Sequence, residues 1–100
     1  MRLIAWSTLA EFAERNPQSK AALTHWRSVV KEALWTNVNE VQSSFSKAKA
    51  LNGERVRFEI AGGDFRLIVA FDFKRSIAFV KFIGTHADYD KIDALTVNLF

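Results

Sequence analysis

Residues 54–71 read E-R-V-R-F-E-I-A-G-G-D-F-R-L-I-V-A-F, and this stretch decides the fold. Glu54–Ile60 alternates between apolar and charged side chains, which is typical of a strand with one buried face. Ala61–Asp64 contains two glycines, which reach positive φ without a steric penalty, so it predicts a tight hairpin turn. Phe65–Phe71 is apolar on both faces except at Arg66. It therefore predicts a central strand that helices cover on one side.

The sheet extends on both sides of this hairpin. Asp72–Ser76 predicts a turn with charges at its tip, and Ile77–Ile83 predicts a returning antiparallel strand. At the other end of the chain, the short apolar run Arg2–Trp6 is compatible with an edge or central strand.

Two helices are predicted between these parts of the chain. Thr8 and Glu11 have the spacing of a capping box, which predicts a first helix over about Thr8–Arg15. Asn16-Pro17 reads as an N-cap followed by proline at the first helical position, so a second helix should run to about Trp35. Its apolar positions recur at three- and four-residue spacing: Leu23, Trp26, Val30, Ala33 and Leu34. Thr36–Leu51 has weak periodicity and predicts a loop, with room for one helical turn near Val41–Phe45.

The composition bounds the class of protein. The chain has no cysteine, which excludes a disulfide framework, a thiol nucleophile and cysteine-ligated zinc. It has no apolar signal core and no uncharged run of membrane-spanning length, so we expect no membrane partner and a cytoplasmic location. Because no repeat or linker interrupts it, residues 1–100 are expected to form a single domain.

The net charge of +3 is concentrated in the second half of the chain. An excess of this kind indicates a nucleic-acid or phosphate partner, although a solvated basic face without a ligand explains it about as well. The range Lys47–Ile83 contains four acidic residues and eight basic ones: Lys47, Lys49, Arg55, Arg57, Arg66, Lys74, Arg75 and Lys81.

The densest run of side chains that can transfer protons follows the last predicted strand. Residues 80–93 read V-K-F-I-G-T-H-A-D-Y-D-K-I-D, so a glycine turn presents His86 and Tyr89 from a rigid strand end. Asp88 and Asp90 either orient the histidine or cap a following turn, and the cap is favoured. His25 is expected to be a surface or packing residue. With these two histidines and no cysteine, we expect no metal or other cofactor.

Two cations are embedded in predicted strands. Arg66 and Lys81 interrupt apolar runs, where an unpaired charge costs free energy. Each is therefore either half of a structural ion pair or part of a site, and the sequence leaves both options open.

The successive segments R-V-R-F-E-I, G-G-D-F-R-L-I-V-A-F and V-K-F-I-G-T-H-A-D-Y-D-K-I-D, behind two N-terminal helices, resemble the HigB-type toxins of bacterial toxin–antitoxin pairs. These toxins belong to the wider RelE/ParE group. The resemblance implies an α+β fold of two N-terminal helices packed on a small twisted antiparallel sheet, with a short C-terminal turn or helix. It also implies ribosome-associated cleavage of messenger RNA, and neutralisation by a cognate helix-turn-helix antitoxin, HigA-like, in a hetero-oligomeric complex.

The resemblance assigns roles to individual residues. Arg66 matches the arginine that holds the scissile phosphate, His86 matches a basic position after the last strand, and Tyr89 matches the C-terminal tyrosine. Histidine suits acid–base work because its unperturbed pKa of about 6.5 leaves both forms populated near neutrality. Lys81 would add a second positive charge if it shares the face of Arg66. RNA-backbone or ribosome contacts are expected from the remaining cations: Arg55, Arg57, Lys47 and Lys49.

Three further interpretations stay open. A ParE-like relative would keep the fold and poison gyrase, although such a protein needs no His86 and Tyr89 pair. A non-catalytic RNA- or ribosome-binding domain needs only the basic sheet. Finally, the antitoxin is a candidate to cover exposed apolar side chains. The C-terminal tail provides some of them, and two tryptophans are further candidates because a small core has little room for both: Leu95, Val97, Leu99, Phe100, Trp26 and Trp35.

Overall fold

The computed structural model describes all residues, Met1–Phe100, as an α+β fold built on one five-stranded sheet. The strands are β1 (Arg2–Ile4), β2 (Lys49–Ala50), β3 (Arg55–Ile60), β4 (Phe65–Asp72) and β5 (Ile77–Thr85). The α-helices are α1 (Trp6–Arg15), α2 (Lys20–Glu32), α3 (Val38–Ser44) and α4 (His86–Tyr89), and short 3-10 turns lie at Pro17–Ser19 and Ala61–Gly63. None of the helices combines the length and the hydrophobicity needed to span a membrane.

The strand order is β1-β5-β4-β3-β2, so the strand predicted to be central, β4, lies in the middle of the sheet. β2, β3, β4 and β5 pair antiparallel, whereas β1 pairs parallel with β5 in the register Arg2↔Ile77. The prediction of a wholly antiparallel sheet is therefore wrong. β1 and β5 are far apart in sequence, and a long connection through helices and strands allows the parallel pairing.

α1 begins two residues before its predicted start. Ala5 is its N-cap, no side chain caps it, and Thr8 lies inside the helix. The predicted capping box of Thr8 and Glu11 is therefore wrong. The early start brings Trp6 into the first turn, where its ring lies 4.7 Å from the guanidinium carbon of Arg27 on α2.

α2 ends at Glu32, three residues before its predicted end. Ala33 leaves the helix with an extended backbone, at φ −72° and ψ 146°. Leu34 then points to solvent and is 89% exposed, whereas Trp35 turns inward and donates from Nε1 to Ser44 Oγ at 3.0 Å. Burial of the indole decides where the helix ends, although the apolar spacing of the sequence continues through Leu34.

The segment predicted as a loop with one helical turn contains α3 and the short strand β2. Asn37 caps α3, because its Oδ1 accepts from the backbone N–H of Glu40 at 3.0 Å. Val41 anchors the helix in the core and is fully buried. The weak periodicity of this segment reflects a helix that buries little more than one residue.

The core fills the space between the helices and one face of the sheet. Phe58 lies at its centre, with ring centroids 5.5 Å from Trp26, 5.1 Å from Phe45 and 6.4 Å from Phe71. Trp26 and Trp35 are both buried, so the expectation that the core has little room for both is wrong. α1, α2 and α3 therefore pack on one sheet face and leave the other for different contacts.

Candidate functional site

The sheet face that points away from α1, α2 and α3 carries most of the predicted cations, and we call it the cationic face. Antiparallel register places its residues in rows across β3, β4 and β5. One row runs Glu59, Arg66, Gly84, the next Arg57, Ile68, Phe82, and the third Arg55, Ala70, Phe79. A register shift between Ile68 and Val69 leaves Lys81 unpaired in the ladder, between the last two rows.

Arg66 lies in an ion-pair cluster on this face. Its Nη1 is 3.2 Å from Glu59 Oε1 and donates to the carbonyl oxygen of Gly63 at 2.8 Å. The other oxygen of the same carboxylate, Oε2, is 3.6 Å from Arg57 Nη2. The ion-pair option for Arg66 is therefore confirmed, and one carboxylate joins the two arginines expected at the RNA.

Gly63 makes room for this cluster. A Cβ at its position would stand 2.8 Å from Glu59 Oε1, and its φ of 99° lies in the region that favours glycine. The hairpin glycine therefore serves both the turn and the approach of Glu59 to Arg66.

α4 stands at the end of β5, next to the same cluster. Thr85 caps it: Thr85 Oγ1 accepts from Asp88 N at 3.1 Å, and Thr85 N donates to Asp88 Oδ2 at 3.2 Å. The hydrogen bond from the backbone N–H of Thr85 to this carboxylate, then one from the Thr85 hydroxyl and a smaller contribution from the charge of Lys91, hold the pKa of the Asp88 carboxyl below its usual range. The prediction that an aspartate caps this turn is confirmed for Asp88.

His86 is the first residue of α4 and its side chain is 58% exposed. Its backbone N–H donates to the carbonyl oxygen of Asp64 at 3.2 Å, which ties the helix to the hairpin that carries Gly63. Its Nε2 lies 3.9 Å from Asp90 Oδ1. Asp88 therefore caps the helix, whereas Asp90 lies near the imidazole without a hydrogen bond to it, and its orienting role stays a prediction.

Tyr89 leans towards the cationic face. Its ring centroid is 6.3 Å from that of Phe82, which shares a row with Arg57. Tyr89 is partly exposed and Phe82 is buried. The phenol therefore stands at the boundary between α4 and the sheet.

Arg55 and Lys81 are held by residues Asp93–Phe100, which we call the C-terminal strap. Arg55 Nη1 donates to the carbonyl oxygens of Ala94 at 3.1 Å and Val97 at 2.8 Å. Lys81 Nζ donates to Asn98 Oδ1 at 3.1 Å, and the Lys81 carbonyl oxygen accepts from the backbone N–H of Leu99. Both cations lie on the cationic face, but their ammonium and guanidinium groups turn to the strap.

A cleft of about 620 Å³ opens beside the strap. Arg55, Lys81 and Lys74 line it together with Phe79. Glu54 and Asp72 also contribute to its wall, so the positive charge there is partly balanced.

The two remaining predicted RNA contacts lie apart from each other. Lys49 is exposed and stands opposite Arg57 in the β2–β3 pair, at the margin of the cationic face. Lys47 lines a different cleft of about 160 Å³ on the helix side, next to Trp26 and Phe45. The structure therefore groups Lys49 with Arg57 and separates Lys47 from both.

Glu59 was not identified as a site residue from the sequence. A signal for it was present, because a hairpin that turns at Ala61–Asp64 pairs Ile60 with Phe65 and so sets Glu59 opposite Arg66. Asp90 likewise stands four residues after His86, the spacing at which helical side chains meet.

The arrangement places cationic side chains near side chains of a type that can transfer protons. The guanidinium groups of Arg57 and Arg66 suit a phosphate, and an imidazole and a phenol stand on the adjoining helix. No group of three or more histidine or carboxylate side chains is assembled as a metal site.

Residues 19–92 match the HigB toxin family, which is described as the RelE-like toxic component of a toxin–antitoxin system. The chain belongs to the HigB family of RelE-like toxins. A relative, the mRNA interferase HigB of Escherichia coli O6:H1, is 27% identical over 94 residues, which cover 92% of this chain and 91% of the relative. The resemblance inferred from the sequence segments is thereby confirmed.

The matched segment of this HigB-family toxin contains the whole ion-pair cluster and α4. It begins just before α2 and ends before the strap, which starts at Asp93. The strap that holds Arg55 and Lys81 therefore lies outside the part that matches the family.

Proposed function

We propose that this HigB-family toxin is an endoribonuclease that cleaves messenger RNA on the ribosome and so inhibits translation. Its membership of a family of RelE-like toxic components supports this proposal. So does the relative named as an mRNA interferase, which aligns with nearly all of the chain. We further propose that residues 1–100 act as one toxin domain in the cytoplasm, where ribosomes translate.

The observation that carries the proposal is the junction between α4 and the cationic face. Arg66 pairs across the sheet with Gly84, two residues before His86, and the hairpin that carries the Arg66 cluster accepts the backbone N–H of His86. The segments that carry the proposed anion-binding and acid–base side chains therefore adjoin at one end of the sheet, which supports cleavage of a phosphodiester there.

Cleavage without a metal ion needs three contributions from the protein. A base takes the proton of the ribose 2′-OH as that oxygen attacks the adjacent phosphorus. An acid gives a proton to the 5′ oxygen as its bond to phosphorus breaks. Cations stabilise the charge that grows on the phosphoryl oxygens. We assign the acid–base work to His86 and Tyr89, and charge stabilisation to Arg66, supported by Arg57.

Lys81 and Arg55 act at a greater distance in this proposal. Their charged groups bond to the strap. Lys81 becomes a second cation near the phosphate when it turns from the strap towards Arg66. Arg55, with Lys49 and Lys47 further out, contacts the backbone of the RNA or of ribosomal RNA through charge alone.

The partner that restrains the toxin is proposed to be a HigA-like antitoxin with a helix-turn-helix domain, bound in a hetero-oligomer. The family description, a component of a toxin–antitoxin system, supports the existence of such a partner. Exposed apolar side chains on the strap are candidates for its contact: Leu95, Leu99 and Phe100.

Primer extension on a defined messenger RNA tests the activity. The purified toxin is incubated with this RNA alone, with translating ribosomes, and with ribosomes whose Mg²⁺ is replaced by a polyamine that keeps them assembled. We expect cuts only where ribosomes are present, and these cuts should persist when the polyamine replaces Mg²⁺.

Absence of cuts in every condition, with growth arrest on expression in cells, would contradict the nuclease assignment. Gyrase inhibition, measured as loss of DNA supercoiling, would then indicate the ParE-like alternative. Ribosome binding and blocked translation without any cut would indicate a non-catalytic RNA-binding domain.

A further inference from the structure

Glu59 is the carboxylate that the two arginines of the ion-pair cluster share. It lies between Arg57 and Arg66, its side chain is 23% exposed, and each of its oxygens faces a different guanidinium. The two arginine side chains are 21% and 13% exposed. A partly buried carboxylate shared by two arginines orients both of them, because the planar guanidinium fork has few ways to meet it.

Arg66 is fixed at one nitrogen and free at others. Its Nη1 forms the ion pair with Glu59 and donates to the Gly63 carbonyl oxygen. The Nε atoms of Arg57 and Arg66 are buried, and neither has a hydrogen-bond partner. A buried donor without an acceptor is costly, and an anion bound beside the two arginines would lower that cost.

We propose that Glu59 is a positioning residue, which sets the guanidinium groups of Arg57 and Arg66 as one phosphate-binding pair at the scissile bond. This inference rests on the proposed nuclease function and names a residue that was not among the site residues predicted from the sequence. Glu59 acts through the arginines, and the remaining N–H donors of Arg57 and Arg66 meet the phosphoryl oxygens.

This role predicts that loss of the carboxylate lowers the cleavage rate without weakening RNA binding. Removal of the carboxylate takes a negative charge from a surface that binds a polyanion, so RNA affinity should stay the same or rise. Without the carboxylate, the guanidinium groups lose their fixed orientation, and misplacement of a charge-stabilising group by about 1 Å can cost on the order of 10²-fold in rate. A residue that only stabilised the fold would lower both quantities together.

The test measures the single-turnover cleavage rate on messenger RNA in ribosome complexes, and the dissociation constant for a fluorescent single-stranded RNA oligonucleotide. The variants are Glu59→Gln, which keeps an acceptor and removes the charge, and Glu59→Ala, which removes both. Glu14→Gln serves as the matched control, because Glu14 forms an exposed ion pair with Lys20 at 3.8 Å on the helical side.

We expect the cleavage rate to fall by roughly 10-fold in Glu59→Gln and roughly 100-fold in Glu59→Ala. RNA affinity should be unchanged or tighter in both variants, and the thermal midpoint of Glu59→Gln should stay close to that of the wild type. Both limbs of the pH–rate profile should remain, since the carboxylate takes no proton from the substrate.

Three results would overturn the role. An unchanged rate in Glu59→Ala would show that the arginines need no orienting group. Loss of the acidic limb of the pH–rate profile in Glu59→Gln would make Glu59 the proton acceptor itself. Weaker RNA binding in both variants would reduce Glu59 to a structural residue. RNA binding tests the role of Glu59 even if the wild-type toxin binds RNA without cutting it. In that case the proposed nuclease function fails by itself.

Discussion

Arg66 shows how one side chain can serve both stability and chemistry. Its side chain is 13% exposed and lies in an ion pair, which satisfies the need of a cation inside an apolar strand for a partner. The same contacts leave some of its N–H donors without an acceptor. The two options that the sequence posed for Arg66 are therefore compatible, and only the phosphate-binding role stays a prediction.

Replacement of Arg66 by alanine should lower the cleavage rate by about 10²–10³-fold, because it removes a donor aimed at the growing charge of the phosphoryl group. The single-turnover rate on ribosome-bound messenger RNA measures this effect. Arg75→Ala is the control, since Arg75 stands on an exposed turn with its side chain 79% exposed. Equal losses in both variants would indicate general weakening of RNA contacts and contradict a specific role for Arg66.

Glu59 also shows what the sequence leaves undetermined about a single side chain. The turn and both strands of the hairpin were predicted correctly, and their register fixes Glu59 against Arg66. Whether a surface carboxylate pairs with one arginine, two or none depends on side-chain geometry and on the space left by Gly63. Neither is visible in an alternating pattern of charges.

At the scale of elements, α4 depends on the ionised form of Asp88. The backbone N–H and hydroxyl of Thr85 hold the pKa of this carboxyl below its ordinary value of 3.8. The folded state therefore favours the charged form, and the stabilisation is present above pH 3.8 and is lost as the pH falls through the lowered pKa. His86 and Tyr89 belong to this helix, so its order sets their positions.

Acidification from pH 6 should therefore loosen α4 as the pH falls through the lowered pKa of the Asp88 carboxyl, below 3.8. Amide chemical shifts of residues 86–89 in a pH series measure the loss of the cap. Asp88→Asn should show the loosened shifts already at pH 6, with no further acid transition assigned to the cap. Identical acid transitions in the wild type and in Asp88→Asn would contradict the cap as their cause.

Removal of the C-terminal strap should change how tightly the toxin binds RNA. A chain that ends at Asp93 would free the donors of Arg55 and Lys81, so RNA should bind more tightly and with a steeper salt dependence, by roughly one unit of slope for each new phosphate contact. Fluorescence anisotropy at several salt concentrations measures both. Asn98→Ala frees Lys81 alone and should give a smaller effect. Unchanged or weaker binding by the shortened chain would mean that the strap does not compete with RNA.

The element boundaries that the sequence missed share a physical cause. The sequence predicted α2 through Trp35 because Leu34 continues an apolar spacing, yet the helix stops where Trp35 can turn into the core. It predicted a side-chain cap for α1 that the chain does not use, since contact between Trp6 and Arg27 favours an earlier start. In both places a single tertiary contact of a tryptophan outweighs the local signal.

At the scale of the whole molecule, the strand order was predictable around the β3–β4 hairpin but not at the edges of the sheet. β4 is central because it is apolar on both faces, and that pattern was visible. The parallel pairing of β1 with β5, and the strap laid against Arg55 and Lys81, join segments that are distant in sequence. Such contacts carry no local pattern, so only the structure reveals them.

The aromatic core should dominate the stability of this toxin. Phe58→Ala removes the ring that contacts three other aromatic rings and should cost about 3–5 kcal/mol of unfolding free energy, a large part of the total for a domain of this size. Urea denaturation measures this loss. Leu34→Ala is the control, since Leu34 is 89% exposed and the change should stay within about 0.5 kcal/mol. Equal effects would contradict the placement of the core.

A comparison of the two histidines of the chain tests whether α4 and the cationic face form a nuclease site. The measurement is the single-turnover cleavage rate of a defined messenger RNA on translating ribosomes, for the wild type, His86→Ala and His25→Ala. We expect His86→Ala to fold and to lose about 10²–10⁴-fold in rate, the contribution typical of a general acid or base. His25, exposed on α2, should be replaceable without loss. Full activity in His86→Ala, or equal losses in both variants, would contradict the account.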